Sequence, residues 1–171
     1  MGLDNNDILI RIRYALDIKD EKMVDLFQQG GIDITADNVK KLLTKTKDDN
    51  DSDEEKDSED YMKCTNATLE SFLNGLITDR RGKQDPKPGQ TNNPERLIKS
   101  KANVNNVLLK KLKIALSLTT EDIIDILANA GVRVSKGEIS AILRKEGHKN
   151  YKECGDKFAR NFLKGLALKY R

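Results

Sequence analysis

Histidine, cysteine and tryptophan are nearly missing from this sequence of 171 residues, which contains one His, two Cys and no Trp. A single histidine, His148, excludes the Ser-His-Asp and Cys-His arrangements of nucleophilic catalysis unless His148 itself is the base. Cys64 and Cys154 are too few for a secreted disulfide scaffold, and together with one His they do not complete the four-ligand set of a zinc site. We therefore predict buried free thiols, no metal site and no catalytic residues.

Long apolar segments and aromatic side chains are also scarce. Aromatic residues make up 5% of the chain, so aliphatic side chains must supply most of the core. Charged residues reach 35%, above the quarter that is usual in soluble domains. No apolar run approaches the ~20 residues of a membrane-spanning helix, and the N-terminus has no basic segment followed by an apolar stretch. We expect a cytoplasmic protein with no membrane partner.

The glycines and carboxylates do not form the patterns that bind common cofactors. The sequence has no Gly-rich phosphate loop of the P-loop or dinucleotide-binding type. Carboxylates are concentrated in residues 51–55, but the central Gly and terminal Glu of a calcium-binding loop are absent. We expect no cofactor, and these absences together favour a protein that is not an enzyme.

What the sequence does contain is two copies of one unit. Residues 5–45 align without a gap onto residues 105–145, and residues 61–81 align onto residues 151–171. The 62 aligned positions include 17 identities, against ~4 expected by chance from average residue usage. Most positions that are apolar in the first copy are also apolar in the second, so the repetition preserves a structural unit rather than a reactive site.

Apolar residues recur in each copy at the spacing of an amphipathic helix. The pattern predicts an all-α protein of about eight helices, in two tandem pseudo-symmetric four-helix units. We assign residues 1–79 to the first helical repeat, 80–104 to a basic linker containing Pro, Gly and Asn, and 105–171 to the second helical repeat. Each unit is small for an independent core, so we expect the units to pack together or the protein to form a homodimer.

An Asn-Asn pair opens each copy. Asn5 and Asn6, like Asn105 and Asn106, precede an apolar stripe. Asn is a favoured N-cap because its side chain accepts a hydrogen bond from a free backbone N–H at the start of a helix. We therefore predict that these asparagines cap the first helix of each repeat.

Two glycines recur at equivalent positions in the copies. Gly31 and Gly131 follow the second predicted helix, where a left-handed residue ends a helix without steric cost. Gly75 and Gly165 stand inside the fourth predicted helix, at a cost of ~1 kcal/mol relative to Ala. Their presence in both copies predicts a close helix crossing.

Charge is distributed unequally along the chain. Residues 1–78 carry 10 Lys and Arg against 18 Asp and Glu, a net charge of −8, whereas residues 79–171 carry 21 against 10, a net charge of +11. Much of the acidic excess lies in residues 48–60, for which we predict a solvated loop because no large apolar side chain is present. The basic second half indicates an electrostatic partner, or attraction between the halves or between molecules.

These basic residues make nucleic acid the alternative partner, because a flexible basic segment that leads into a helix can contact several phosphates. The second and third helices of the second repeat also resemble a helix-turn-helix, although the turn between residues 131 and 135 is longer than usual and the first copy is acidic there. The candidate nucleic-acid contacts are Arg80, Arg81, Lys83, Lys99, Lys101, Lys110, Lys111, Lys113, Lys136, Arg144 and Lys145.

Four segments resemble a known family: Asn-Asp-Ile-Leu at residues 6–9, Phe-Leu-Asn-Gly-Leu-Ile at 72–77, the run 105–116, and His-Lys-Asn-Tyr to Gly-Asp at 148–156. The sequence resembles the YehS family, bacterial proteins made of two tandem copies of a short domain of unknown function. The resemblance covers nearly the whole chain. It implies a bacterial cytoplasmic protein of helical, duplicated architecture, and it implies no catalytic residues. We therefore expect a non-enzymatic interaction module with an unknown protein partner.

Overall fold

The computed structural model of the chain describes residues 3–44, 62–82, 98, 103–144 and 148–170. No strand occurs among these residues, so the predicted all-α class is confirmed. The predicted acidic loop 48–60 and most of the predicted linker 80–104 lie outside the described residues. Eight helices occur in the described ranges: α1 Asn5–Leu16, α2 Asp20–Gln29, α3 Ala36–Leu42, α4 Asn66–Arg81, α5 Val104–Ala115, α6 Thr120–Asn129, α7 Lys136–Leu143 and α8 Asp156–Tyr170.

Hydroxyl side chains start four of the helices. Thr35, Thr65, Thr119 and Ser135 precede α3, α4, α6 and α7, and each side-chain oxygen accepts a hydrogen bond from the backbone N–H three residues later. At α6 the bond is reciprocated, because the Asp122 carboxylate accepts from the Thr119 N–H at 2.9 Å. Each cap satisfies an N–H that the helix itself leaves without a partner.

The prediction that the Asn-Asn pairs cap α1 and α5 is wrong. The N-cap of α1 is Asp4, whose Oδ1 accepts from the Asp7 N–H at 2.8 Å, and the N-cap of α5 is Asn103. The Asn-Asn pairs lie inside the first helical turn, with their side chains directed away from the helix ends. Their amides bind the rest of each repeat, as described below.

Both predictions for the repeated glycines are confirmed. Gly31 and Gly131 have φ of 95° and 89°, the left-handed conformation expected beyond α2 and α6. A Cβ on Gly75 would lie 1.8 Å from the Leu26 carbonyl oxygen, and a Cβ on Gly165 would lie 2.2 Å from that of Ile126. Helix α4 therefore crosses α2, and α8 crosses α6, at a separation that only glycine permits.

The repeats interlock through equivalent helices. Within each repeat, α2 packs on α4 and α6 packs on α8. Between repeats, α4 packs on α5, and α8 packs on α1, which is the same pairing with the repeats exchanged. The buried residues of both repeats form one hydrophobic cluster, in which the rings of Phe27 and Phe72 lie 5.1 Å apart. The expected packing of one unit on the other is therefore present within a single chain.

Candidate functional site

The second asparagine of each pair holds three backbone groups. The Nδ2 of Asn6 donates to the carbonyl oxygens of Leu42 at 2.9 Å and Met62 at 2.8 Å, and its Oδ1 accepts from the Cys64 N–H at 2.9 Å. Asn6 is only 2% exposed. Because a buried backbone group without a partner is costly, this one side chain joins α1 to the end of α3 and to the segment before α4.

Asn106 makes the same three bonds in the second repeat. It donates to the carbonyl oxygens of Ile142 at 3.0 Å and Lys152 at 2.8 Å, and it accepts from the Cys154 N–H at 2.8 Å. We call this arrangement the Asn clamp. Its recurrence at equivalent atoms explains the repeated Asn by folding, so the Asn clamp is a structural element rather than a reactive site.

The first asparagine of each pair fastens the start of the last helix. Asn5 donates to the Asn66 Oδ1 at 2.8 Å, and Asn105 donates to the Asp156 Oδ1 at 2.8 Å. The other oxygen of Asp156 accepts from the Leu3 N–H at 3.0 Å, so this carboxylate joins α8 to the start of α1 as well as to α5.

Both cysteines lie inside the Asn clamps as free, buried thiols, which confirms that prediction. Burial raises the pKa of Cys64 and of Cys154 to about 12. The thiolate is the nucleophilic form of cysteine. Neither residue therefore offers a nucleophile at neutral pH, and the repeated Cys serves as a small core residue.

The contact between α4 and α5, which we call the α4–α5 interface, contains a buried ion pair that sequence reasoning missed. The Nζ of Lys111 lies 3.6 Å from the Oε2 of Glu70 and donates to the Asn74 Oδ1 at 2.6 Å. The Oε1 of Glu70 accepts from the Ile98 N–H at 3.0 Å. Glu70 is fully buried, whereas Lys111 and Ile98 are 8% and 7% exposed. The only sequence signal was a charged residue on the apolar side of each helix.

The packing of α1 against α8 forms the equivalent interface, and its charges differ. The offsets of 100 and 90 residues place Arg11 where α5 has Lys111, Arg160 where α4 has Glu70, and Lys164 where α4 has Asn74. Arg11 and Lys164 are exposed, and so are two large apolar side chains, Tyr14 at 57% and Leu168 at 58%. We call Arg11, Tyr14, Arg160, Lys164 and Leu168 the α1–α8 surface.

The structure separates the predicted nucleic-acid contacts. Lys111 is buried in the α4–α5 interface, where its ammonium binds Glu70 and Asn74, so it does not present a charge to a phosphate. Arg81 donates to the Ser117 Oγ at 2.5 Å, and Lys136 pairs with Glu121 at 2.9 Å. Arg80, Lys110 and Arg144 are exposed, Lys113 is half-buried, and Lys83, Lys99, Lys101 and Lys145 lie outside the described residues.

Arg144 and residues 148–152, which we call the segment after α7, carry several exposed basic side chains. The Nη1 of Arg144 lies 3.4 Å from the Nε2 of His148, and the Nδ1 of His148 accepts from the Asn150 N–H at 3.1 Å. Lys149 and Lys152 are also exposed, and the Lys152 N–H donates to the Ala141 carbonyl oxygen at 3.0 Å, which holds the segment against α7. Among the described residues the His148 ring contacts Arg144 and the Asn150 N–H, and no described carboxylate hydrogen-bonds to it to orient it as a catalytic base.

A second cluster of charged side chains lies between α2 and the end of α4. Lys22 donates to Asp79 at 2.6 Å and to Asp25 at 3.1 Å, and Gln29 donates to Asp79 at 3.0 Å. The bond from Lys22 lowers the pKa of Asp79, and the bond to Asp79 raises the pKa of Lys22. These side chains form hydrogen bonds with one another beside a shallow depression, an arrangement typical of a structural ion pair.

Neither a metal-binding cluster nor a membrane-spanning helix occurs among the described residues. Across residues 3–44, 62–82, 98, 103–144 and 148–170, no three His, Cys, Asp or Glu side chains converge to hold a metal ion. None of the helices in that part of the chain has an apolar stretch long enough to cross a bilayer.

Comparison with known proteins places the repeats in a family. The family described as "Protein of unknown function (DUF1456)" matches residues 5–82, which overlap the range assigned to the first repeat, and residues 105–171, the range assigned to the second. A protein of Escherichia coli (strain K12), named "Uncharacterized protein YehS", is 41% identical over 165 residues, covering 96% of this chain and 95% of that protein. No solved structure matches the chain. Neither description indicates an enzymatic family.

Proposed function

Because the chain belongs to the DUF1456 family of proteins of unknown function, we propose a function from its own surface: a non-enzymatic helical module that binds another protein. The YehS-like resemblance expected from the sequence is confirmed by the same matches. The family supplies the architecture. The partner must be inferred from the side chains that the architecture exposes.

The α1–α8 surface carries this proposal. Tyr14 and Leu168 are the two most exposed large hydrophobic side chains among the described residues, at 57% and 58%. They stand on two helices that pack against each other, and cationic side chains lie one turn before each of them. Exposed apolar and aromatic side chains beside an Arg are typical of protein-binding surfaces.

The chemistry of the ionisable residues supports a function without catalysis. The thiols of Cys64 and Cys154 are buried with pKa values raised to about 12, and Glu70 is neutralised by Lys111. The Lys22–Asp79 pair is likewise satisfied internally. A catalytic acid, base or nucleophile needs access to a substrate and a pKa near the working pH, and these groups lack one or both.

Affinity capture from lysate of the native organism tests the proposal. The bait is the full chain, compared with the double variant Tyr14→Asp and Leu168→Asp and with the control Ile114→Asp, the exposed residue equivalent to Tyr14. We expect a protein that the wild type and the control retain, that the double variant loses, and that nuclease treatment does not release. Identical capture by all three baits would contradict the proposal.

Nucleic-acid binding is the second candidate, and the segment after α7 favours it. Arg144, His148, Lys149 and Lys152 are all exposed there. Binding of a labelled DNA duplex and a labelled RNA hairpin would be measured at increasing salt. If this segment contacts phosphates, the variant Lys149→Ala, Lys152→Ala lowers the log–log salt slope by about two, whereas Lys40→Ala leaves it unchanged. Undetectable binding at low salt would remove this candidate.

We also infer a cytoplasmic location, which cell fractionation tests directly. A homodimer stays a prediction, and light scattering at several protein concentrations measures it.

A further inference from the structure

The α4–α5 interface shows what lies on this type of helix pair. Ile98 lies against it: its side chain is buried at 7% exposure, and its N–H donates to the Glu70 carboxylate at 3.0 Å. The interface therefore binds one backbone N–H beside one buried apolar side chain.

The direction of the two helices follows from their contacts. Lys111 binds Glu70 and Asn74 near the middle of each helix, and Arg81 binds Ser117 near the end of each. Both contacts advance together, so α4 and α5 run in the same direction. Residues three or four apart lie on the same side of a helix, which places Ile114 one turn beyond Lys111 and Thr78 one turn beyond Asn74.

The α1–α8 surface repeats this arrangement with reversed charge at its centre. The equivalent of Glu70 is Arg160, and the equivalents of Lys111 and Asn74 are Arg11 and Lys164. Guanidinium and ammonium groups donate hydrogen bonds and accept none. Arg11 and Lys164 are exposed, so a segment that lies on them must supply acceptors, such as carboxylates and backbone carbonyl oxygens.

The ends of the α1–α8 surface differ from its centre. One turn further along, the equivalents of Ile114 and Thr78 are Tyr14 and Leu168, which are more than half exposed. At the opposite end, α1 carries Asp4 and Asp7. The side chains along the helix pair therefore change from acidic to basic to apolar. A uniformly charged polyanion meets repulsion at the acidic end, whereas a peptide can match each part with a different side chain.

We propose that the α1–α8 surface binds an acidic peptide segment that carries a large apolar side chain, with carboxylates on Arg11 and Lys164 and the apolar side chain on Tyr14 and Leu168. This inference rests on the proposed protein-binding function and specifies the chemistry of the partner. Bidentate carboxylate–guanidinium bonds and apolar burial are complementary sources of affinity at such a surface.

Peptide titration against the full chain tests the inference. The probe is a fluorescently labelled peptide that copies residues 94–102 with Arg96, Lys99 and Lys101 replaced by Glu, so that Leu97 and Ile98 remain as apolar anchors. Two control peptides separate the contributions. The peptide with the natural sequence of residues 94–102 keeps the apolar anchors but has a basic charge. The peptide with the sequence of residues 48–60 has an acidic charge and no large apolar side chain. We expect each control to bind about tenfold more weakly than the probe.

Charge-reversal variants locate the binding. Arg11→Glu with Lys164→Glu is expected to weaken probe binding about tenfold, while the control Lys40→Glu with Lys110→Glu changes binding less than about twofold. All four positions are exposed, so the variants keep the fold, as circular dichroism verifies. Equal weakening in both pairs, or tighter binding of a labelled oligonucleotide than of the probe at the same surface, would overturn the inference.

The two proposals fail separately. If the Tyr14, Leu168 variant loses a captured protein but no acidic peptide binds, protein binding stands and the partner chemistry is wrong. If the probe binds at the α1–α8 surface but lysate yields no partner, the surface chemistry stands and the proposed function loses its support.

Discussion

The α4–α5 interface and the α1–α8 surface are made by equivalent helices of the two repeats, yet one is closed and the other presents its side chains to solvent. Glu70 and Lys111 neutralise each other beneath Ile98 in the first. Arg11 and Lys164 stand exposed in the second. A duplicated helix pair can thus complete a core at one place and offer a docking surface at the other, with the difference decided by a few side chains.

The largest effect is expected from breaking the buried ion pair. Lys111→Met leaves the Glu70 carboxylate buried without its cation and should lower the free energy of unfolding by about 4 kcal/mol. The matched variant Arg11→Met, at the equivalent exposed position, should change it by less than about 0.5 kcal/mol. Urea denaturation measures both. Similar losses in the two variants would show that the helix pairs do not differ in burial.

The Asn clamps should instead respond equally in both repeats. Asn6→Ala leaves two carbonyl oxygens and one N–H without partners, and Asn106→Ala does the same, so each should cost about 3 kcal/mol. Alkylation followed by mass spectrometry gives a local readout, because Cys64 and Cys154 each lie inside one clamp. We expect the thiol of the altered repeat to react first. Stability losses that differ strongly between the repeats would argue against equivalent clamps.

The next largest loss of stability is expected from removing the buried apolar side chain of Ile98 in the α4–α5 interface. Ile98→Ala should destabilise the fold by about 2 kcal/mol, since the side chain is buried at 7% exposure. Leu168→Ala, on the α1–α8 surface, should stay within about 0.5 kcal/mol because its side chain is already solvated. Thermal and urea unfolding measure both changes. An unchanged stability of Ile98→Ala would mean that this side chain does not stabilise the α4–α5 interface.

The smallest expected effect is the pH dependence of the Lys22–Asp79 pair. The pKa of Asp79 is lowered in the folded state, so the pair's contribution is present above the ordinary Asp pKa of about 4 and is lost as pH falls through the lowered value. Lys22 has a raised pKa, so its contribution is present below its ordinary pKa and is lost as pH rises through the raised value. Both contributions are present at neutral pH.

Asp79→Asn should therefore cost less than about 1 kcal/mol at pH 7, because the Lys22 side chain is 46% exposed, and the difference from wild type should shrink toward pH 3. A double-mutant cycle with Lys22→Met isolates the pair. A coupling energy that is unchanged at pH 3 would contradict the assignment of the shift to this pair.

Much of the fold could be predicted from local patterns. The helix positions followed from apolar spacing, and Gly31 and Gly75 were assigned to a helix end and a close crossing because backbone geometry restricts those places to glycine. The N-cap prediction failed at Asn6 because the rule for a cap considers only neighbouring residues. An Asn before an apolar stripe satisfies the sequence rule for a cap, and nothing within the same helix reveals that its amide binds Leu42 and Met62.

The candidate site was less predictable than the fold. Lys111 was grouped with its basic neighbours as a phosphate contact, and burial against Glu70 became visible only when α4 was placed on α5. Tyr14 and Leu168 were not selected, because an apolar residue on an amphipathic helix is normally assigned to the core. The one sequence signal that could have indicated the α1–α8 surface was the difference in charge between equivalent positions of the two repeats.

The sequence by itself determined the helices, the glycine ends of α2 and α6, the duplication and the family, since these depend on spacing of a few residues and on the conformations that each residue type permits. The tertiary structure alone decided that each repeat packs its last helix on the first helix of the other, that one charged pair is buried, and that Arg11 and Lys164 on the equivalent helix pair are exposed. The physical reason is that burial and pairing depend on which helix faces meet, and in this chain the decisive pairs lie far apart in sequence.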